Sequence, residues 1–205
     1  MYPVVLLMEG RTCVIAGGGR VAYSKIGALL QAKANITVVS PEVIPEIERL
    51  YDEGKIQLLR KHIEYDDYRD AFLIIAATNR PEVNRDIYER VKDTKLVNVV
   101  TDSELGNFHL PATVSRGRLQ ISVATGGASP MLAKAIRDEL AEVYDDSYEE
   151  FLEFLYQVRK IIKESGCSVE QKNELYKEAL QEKYRHSIEE RKLFIKKAFT
   201  LNPSV

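Results

Sequence analysis

Cysteine and histidine are scarce in this sequence, and tryptophan is absent. The 205 residues include two Cys and three His. Cys13 and Cys167 are far apart and neither belongs to a CxxC pair, so the sequence offers neither a disulfide framework nor a cysteine-based zinc site. We therefore predict no metal site.

An excess of charge of one sign is also missing. Lys and Arg number 29, Asp and Glu number 31, and the formal net charge is -2. Nucleic acids are bound through a clustered basic excess, so we do not expect one as the main ligand. No apolar run approaches the ~20 residues that cross a bilayer, and the first residues lack the basic segment of a signal peptide. We expect a cytoplasmic protein that does not bind membranes.

Short β-rich runs alternate with helical stretches over the first half of the sequence, which is typical of a parallel sheet covered by helices. Strands are predicted at 12–16, 36–39, 56–59, 71–76 and 96–100, with 4–8 as a candidate edge strand. Helices are predicted at 21–33, 44–53 and 82–92, where apolar residues recur near helical spacing. The connection 62–70 is short and polar, so we expect an irregular crossover there. The pattern indicates a doubly wound α/β fold.

A hairpin and a helix are predicted after this sheet. Two β-type runs at 110–114 and 119–124 are joined by a turn that contains glycine. Ser129 and Pro130 then supply an N-cap and a first-turn proline for a helix that continues to about Tyr144.

The last part of the sequence is predicted to be helical. Between Met131 and Asn202 there is no proline, and Gly166 is the only glycine. From Tyr148 to Ile162, apolar side chains recur at three- and four-residue steps, which is typical of a packed helical lobe. We divide the chain into three regions: an α/β nucleotide-binding domain at 1–112, a hairpin and helix at 113–145, and a helical C-terminal region at 146–205.

A glycine-rich loop joins the first predicted strand to the first predicted helix. With Ala22 it reads G-x-G-x-x-A, the dinucleotide-binding pattern of Rossmann-like folds. The first glycine permits a tight turn, the third lets the backbone approach a pyrophosphate, and the helix N-terminus attracts its charge. The alternative is a turn with a purely structural role. The position of the glycine-rich loop inside a βαβ unit favours the dinucleotide site, which would be formed by Gly17, Gly18, Gly19, Arg20 and Val21.

Residues at the ends of two other strands are candidates for binding the rest of the cofactor. Many such folds place an acidic residue at the end of the second strand, where it binds the ribose hydroxyls. Ser40, Pro41 and Glu42 occupy this place. Ser40 or the Pro41 backbone would bind the ribose, and Glu42 would disfavour a 2′-phosphate, which predicts NAD rather than NADP. Thr78 and Asn79 end the fourth strand and are cofactor neighbours or, alternatively, turn and cap residues.

Five segments, in their order and spacing, carry a resemblance to a known family. They are the glycine loop, Ile75-Ala76-Ala77-Thr78, Asn98-Val99-Val100, Phe108-His109-Leu110-Pro111-Ala112 and Thr125-Gly126-Gly127-Ala128-Ser129-Pro130. Together they resemble the precorrin-2 dehydrogenase family, the dehydrogenase module of siroheme synthase, over about the first 145 residues. The resemblance implies NAD-dependent oxidation of the tetrapyrrole precorrin-2 to sirohydrochlorin. It also implies a homodimer built through the hairpin and the following helix.

The sequence departs from the family pattern at the expected catalytic position. The family commonly has an aspartate directly after the Asn-Val-Val strand, whereas this chain has Thr101 there and Asp102 one residue later. A one-residue shift in a loop still delivers the carboxylate to the same cavity, but in an extended segment it turns it away. Asp102 is our first candidate for the general base, with His109 as an alternative. Thr101 is a further catalytic candidate, as is Thr125, which stands where the family often has serine.

Basic residues after the sheet are candidates for binding the substrate. Precorrin-2 is a polycarboxylate, so a chain without excess positive charge needs locally grouped donors. The candidates are Arg116 and Arg118 beside the hairpin turn, the helix start at Ser129, and Lys134 and Arg137 on that helix. The alternative is a solvated or dimer-facing set of charges.

Two other functions stay open. One is an NAD-sensing regulatory module that binds the nucleotide and catalyses nothing. The other is a bifunctional dehydrogenase and sirohydrochlorin ferrochelatase, since some relatives also insert iron. Thr101 at the expected carboxylate position and a tail whose only imidazole is His186 argue against the ferrochelatase.

Overall fold

The computed structural model describes residues 1–102 and 104–200. The chain divides into two compact units, Met1–Leu110 and Pro111–Val205. The regions predicted at 113–145 and 146–205 both lie in the second unit. No helix in the described part of the chain is long and apolar enough to cross a membrane.

The first unit is built on a parallel sheet of five strands in the order β3-β2-β1-β4-β5. Its elements are β1 Thr12–Ala16, α1 Arg20–Gln31, β2 Asn35–Val39, α2 Pro45–Asp52, β3 Gln57–Leu59, α3 Tyr65–Tyr68, β4 Leu73–Ala76, α4 Pro81–Val91 and β5 Leu96–Val99. The predicted Rossmann-like doubly wound fold is confirmed. The chain builds outward from β1 to β3, returns to the other side of β1, and continues to β5.

A buried core lies on each face of this sheet, which explains why its central strands β1 and β4 are almost wholly apolar. On one face, Cys13 and Ile15 of β1 belong to a core with Ile26 of α1. On the other face, Val14 packs in a core with Ile87 of α4. Successive residues of β1 therefore enter opposite cores, as the alternation of side chains along a strand requires.

Two local predictions need correction. Residues 4–8 form no strand, and Val4, Val5 and Leu7 are largely exposed. β1 already pairs with β2 on one side and β4 on the other, so it has no free edge for another strand. The crossover at 62–70 contains the one-turn helix α3, which a capping box between Glu64 and Asp67 stabilises.

The second unit begins with a hairpin and continues with helices. Its elements are β6 Ala112–Arg116, β7 Leu119–Val123, α5 Pro130–Val143, α6 Ser147–Glu164, α7 Val169–Ala179, α8 Lys183–His186 and α9 Ile188–Thr200. The hairpin turn is tighter than predicted because β6 extends to Arg116, and Gly117 takes the left-handed conformation with φ +55°. Ser129 Oγ accepts a hydrogen bond from Leu132 N at 3.1 Å, which confirms the predicted N-cap of α5.

Aromatic packing holds the helical part of the second unit together. Phe154 of α6 contacts Tyr184 of α8 and Phe194 of α9, with ring centroids 5.5 and 5.8 Å apart. The buried Arg191 donates to the carbonyl oxygens of Tyr184 and Arg185 at 3.3 and 3.2 Å. It thereby satisfies backbone acceptors at the end of α8, which confirms the predicted helical tail as a packed structure.

Cys13 predicts a measurable dependence of stability on pH. Its side chain is fully buried, and burial raises the pKa of the thiol from 9.0 to about 11. The neutral thiol therefore contributes stability that is complete below pH 9 and is lost as the pH rises to about 11. Between pH 8 and pH 10, denaturant unfolding of the wild type should lose roughly 1 kcal/mol more than that of Cys13→Ala.

All other titratable groups are common to both proteins, so their contributions cancel in the difference. Equal pH dependence of the two unfolding free energies would contradict the prediction.

Candidate active site

The glycine loop lies at the carboxyl edge of the sheet, between the ends of β2 and β4. Gly17 N donates to Val39 O at 2.9 Å, and Ile44 N donates to Gly18 O at 2.9 Å. On the other side, Ala77 N donates to Ala16 O at 2.8 Å. Backbone hydrogen bonds therefore hold the loop against both neighbouring strand ends.

The strand order makes this edge a topological switch point. From β1 the chain proceeds to β2 and β3 on one side, and β4 and β5 are added on the other. Loops that leave the ends of β1 and β4 diverge, and ligands of open α/β sheets bind in the resulting crevice.

The three glycines of the loop serve different purposes. Gly17 has φ +116°, and a Cβ there would lie 2.3 Å from Ala77 O. A Cβ at Gly18 would lie 2.1 Å from Glu42 O, a close approach that the sequence analysis did not predict. At Gly19 a Cβ would meet nothing within 4 Å. The first two glycines are thus required by packing, whereas the third faces open space.

The residues at this turn fit a bound pyrophosphate. Gly19 is the N-cap of α1, and no described side chain caps the first turn of that helix. The first turn also carries no acidic residue, and Arg20 and Val21 in it are exposed. Uncapped N–H groups and the positive end of the helix dipole beside open space suit an anion.

The end of β2 carries the residues predicted to bind ribose. Ser40 is buried, and its Oγ donates to Glu42 O at 2.6 Å. Its proton is therefore used inside the loop, and its oxygen remains an acceptor. Pro41 and the Glu42 side chain are exposed at the strand end.

A buried asparagine joins the ends of β4 and β5. Asn84 of α4 hydrogen-bonds to Thr78 after β4 and to Thr101 after β5. Thr78 is half-buried and Asn79 is exposed. Asn84 is not among the predicted site residues, although it shares the buried face of α4 with Ile87 and Val91. An amide on an otherwise apolar face is the signal that would have found it.

Both carboxylate oxygens of Asp102 already have a partner in the structure. Its Oδ1 accepts from Glu104 N at 3.0 Å, and its Oδ2 lies 3.7 Å from Arg85 Nη2. His109 is exposed, beyond a segment that Asn98 Nδ2 holds by a 3.1 Å hydrogen bond to Phe108 O. These two candidates stay predictions.

Thr125 closes the loop that leads into α5. Its Oγ1 donates to Ser129 O at 3.0 Å and accepts from Ser129 N at 3.1 Å. Gly126 and Gly127 both take left-handed conformations inside this loop. The Thr125 hydroxyl therefore has a structural role, and its predicted catalytic role stays a prediction.

Most of the basic candidates form ion pairs within the second unit. Arg118 Nε donates to Glu153 at 2.7 Å, and its guanidinium lies 3.6 Å from the centre of the Tyr156 ring. Arg137 donates to its neighbour Asp138 at 2.6 Å.

The other two basic candidates differ from these and from each other. Arg116 Nε lies 2.9 Å from Asp146 Oδ1 but is not aimed at it, so the contact is an ion pair without a hydrogen bond. Lys134 is exposed and pairs with no acidic group among the described residues. It is therefore the candidate whose charge is available to a ligand.

Comparison with known families and proteins identifies the chain's relatives. A family model described as "Putative NAD(P)-binding" matches residues 4–112. Models described as "Sirohaem biosynthesis protein central" and "SirC C-terminal domain" match residues 116–142 and 148–194. A precorrin-2 dehydrogenase of Priestia megaterium is 37% identical over 195 residues, which cover 95% of this chain and 96% of the relative. The chain belongs to the precorrin-2 dehydrogenase family.

Other members support the assignment. A precorrin-2 dehydrogenase of Bacillus subtilis (strain 168) is 39% identical over 160 residues, which cover 78% of this chain and 99% of the relative. A solved structure titled "SirC, precorrin-2 dehydrogenase" matches with a TM-score of 0.88 and 36% identity, covering 98% of this chain and 100% of that one. A siroheme synthase of Methylobacillus flagellatus is 32% identical, and the match covers 87% of this chain but 38% of the synthase.

Gly19→Leu should abolish dinucleotide binding and leave the fold intact. The new side chain meets no protein atom near its Cβ but occupies the space that suits the pyrophosphate. We expect NADH affinity, measured by titration of protein-bound NADH fluorescence, to fall at least about 100-fold, as loss of several charge-assisted hydrogen bonds implies.

Gly27→Leu is the matched control, because Gly27 lies in the same helix and also faces open space. It should bind NADH as the wild type does. Gly18→Ala should instead lower the thermal midpoint. Unchanged NADH affinity of Gly19→Leu would contradict the site.

Proposed function

We propose that this chain oxidises precorrin-2 to sirohydrochlorin with NAD as the hydride acceptor, in the biosynthesis of siroheme or cobalamin. The observation that carries the proposal is the open space at Gly19, beside an uncapped helix N-terminus at the switch point of the sheet. The match to a precorrin-2 dehydrogenase over 95% of this chain supports the choice of substrate.

The residues of the first unit would hold the cofactor along the carboxyl edge. Backbone N–H groups at Gly18 and Gly19 and the start of α1 would bind the pyrophosphate. The end of β2 would receive the adenosine ribose, where the exposed Glu42 carboxylate opposes a 2′-phosphate. When bound, the nicotinamide supplies the hydride-accepting chemistry of the reaction.

The chain's remaining task is to orient the tetrapyrrole and receive a proton. Asp102 and His109 follow β5 and are the proposed proton acceptors. Thr101, at the position where the family has its aspartate, and Thr125, where the family often has serine, are further candidates for contacts to the reacting groups. Ser129, Lys134 and the three arginines are the proposed contacts to the substrate carboxylates. Lys134 ranks first, because its ammonium has no acidic partner among the described residues.

A homodimer and a cytoplasmic location are part of the proposal. On α5, Met131, Leu132 and Val143 are 83%, 52% and 63% exposed. Apolar side chains with this exposure support a second copy of the chain as the partner of the hairpin and α5.

An anaerobic assay tests the proposed reaction. Enzymatically prepared precorrin-2 and NAD should yield sirohydrochlorin and NADH in equal amounts when this chain is added, followed at the NADH absorbance band. NADH binding without any NADH production from precorrin-2 would contradict the enzyme and favour a sensing module. The Gly19→Leu protein serves as the inactive control.

Replacement of Glu42 tests the preference for NAD. Wild type should show a higher kcat/KM with NAD than with NADP, and Glu42→Gln should reduce the ratio about 5-fold by removing a like charge beside the 2′-phosphate. The Ser40 hydroxyl bonds to the backbone oxygen of Glu42, so the loop is retained. Glu46→Gln on α2 removes another exposed carboxylate as a control. An unchanged ratio in Glu42→Gln would refute this role.

A further inference from the structure

Asn84 is a fully buried amide whose hydrogen-bonding groups are all used. Its Oδ1 accepts from Thr78 N at 3.1 Å and from Thr78 Oγ1 at 2.7 Å. Its Nδ2 donates to Thr78 O at 3.0 Å and to Thr101 Oγ1 at 3.2 Å. A side-chain amide has two acceptor sites and two donors, and all four are satisfied here.

No other common side chain of this size replaces that set of contacts. An aspartate lacks the two donors and brings a charge into a buried position, and a leucine has neither donors nor acceptors. The amide therefore joins two loops that are separate along the chain, one after β4 and one after β5.

The direction of the bond to Thr101 determines what its hydroxyl can do. Because Asn84 Nδ2 donates, Thr101 Oγ1 is the acceptor, and its own proton remains available for another bond. Within residues 1–102 and 104–200, no group accepts a hydrogen bond from Thr101 Oγ1. Thr101 is exposed at the carboxyl edge, so its hydroxyl is held there as a donor.

The orientation of a dinucleotide on this fold brings its nicotinamide half to the same loops. The pyrophosphate lies at the turn after β1, and the adenosine ribose lies at the end of β2. The other half of the cofactor must then extend to the opposite side of β1, where β4 and β5 end. Thr78 and Thr101 follow those two strands.

We propose that Asn84 is a positioning residue for the nicotinamide ring of the cofactor: it joins the loops after β4 and β5 and orients the Thr101 hydroxyl to donate a hydrogen bond to the carboxamide of that ring. The inference rests on the proposed function, because it assumes that a nicotinamide dinucleotide binds at this edge. Thr101 acts as a donor and not as a base, and Asn84 acts only through the loops and Thr101.

Two ligands separate this role from a purely structural one. ADP-ribose contains the adenosine, the pyrophosphate and a ribose but no nicotinamide ring. Thr101→Val removes the hydroxyl at nearly constant volume. It should weaken NADH binding about 3- to 10-fold, the effect of one hydrogen bond, and leave ADP-ribose binding unchanged. Thr101→Ser keeps the hydroxyl and should bind both ligands as the wild type does.

Asn84→Ala should weaken NADH binding more than ADP-ribose binding. In the double variant with Thr101→Val, the two losses of NADH affinity should not add, because both changes remove the same oriented hydroxyl. Asn107→Ala is the matched control. Its side-chain amide accepts from Val97 N at 2.9 Å and donates to Lys92 O and Lys95 O at 3.0 and 2.6 Å. These contacts lie at the amino-terminal end of β5, away from Thr101. Asn107→Ala should lower the thermal midpoint and change neither affinity.

The outcomes distinguish this inference from the proposed function. If the wild type binds NADH and Thr101→Val binds it with the same affinity, the inference is overturned and the proposed function is not affected. Equal weakening of NADH and ADP-ribose in Thr101→Val also overturns it. Thr101 is exposed, so this variant is decisive even if Asn84→Ala does not fold. A wild-type chain that binds neither ligand overturns both proposals.

Discussion

The close approach of three backbone segments at the end of β1 is the constraint on which the site depends. Gly17 packs against the carbonyl of Ala77 and Gly18 against the carbonyl of Glu42, at separations that no side chain permits. These contacts bring the ends of β2 and β4 against the turn at Gly17 and Gly18, whereas Gly19, at the start of α1, faces open space. The fold thus leaves uncapped backbone N–H groups beside open space, an arrangement that suits an anion.

Side chains then differentiate the two sides of this backbone site. On the β2 side, Ser40 fixes the loop through the backbone of Glu42 and leaves the Glu42 carboxylate exposed. On the β4 side, Asn84 fixes two loops together through Thr78 and Thr101. One side presents a negative charge and the other a hydroxyl donor. This asymmetry suits a cofactor with two chemically different ends.

The sequence predicts the features that depend on local pattern. The five strands of the sheet, the glycine loop and the Ser129 N-cap each follow from residues adjacent along the chain. The failure at 4–8 is non-local, because an apolar run becomes a strand only by pairing with another strand, and β1, the strand that follows it, is already paired on both sides. The local pattern could have marked Asn84 as an amide on the apolar face of α4, but not its role, because that role depends on Thr101, which lies 17 residues away.

The contacts of Asp102 and Thr101 bear on two requirements of the proposed reaction, which are proton abstraction and orientation of the reactants. Asp102 Oδ1 accepts from Glu104 N and its Oδ2 lies near Arg85, whereas Thr101 Oγ1 accepts from Asn84 and its own proton is not used by any described residue. General-base catalysis typically contributes about 10²–10⁴-fold, while orientation of two reactants contributes effective molarities on the order of 10⁵ M or more. In the proposed reaction the buried Asn84 amide orients a donor, and Asp102, the carboxylate that follows β5, lies in a turn. The proposed mechanism therefore depends on positioning of the reactants more than on proton abstraction.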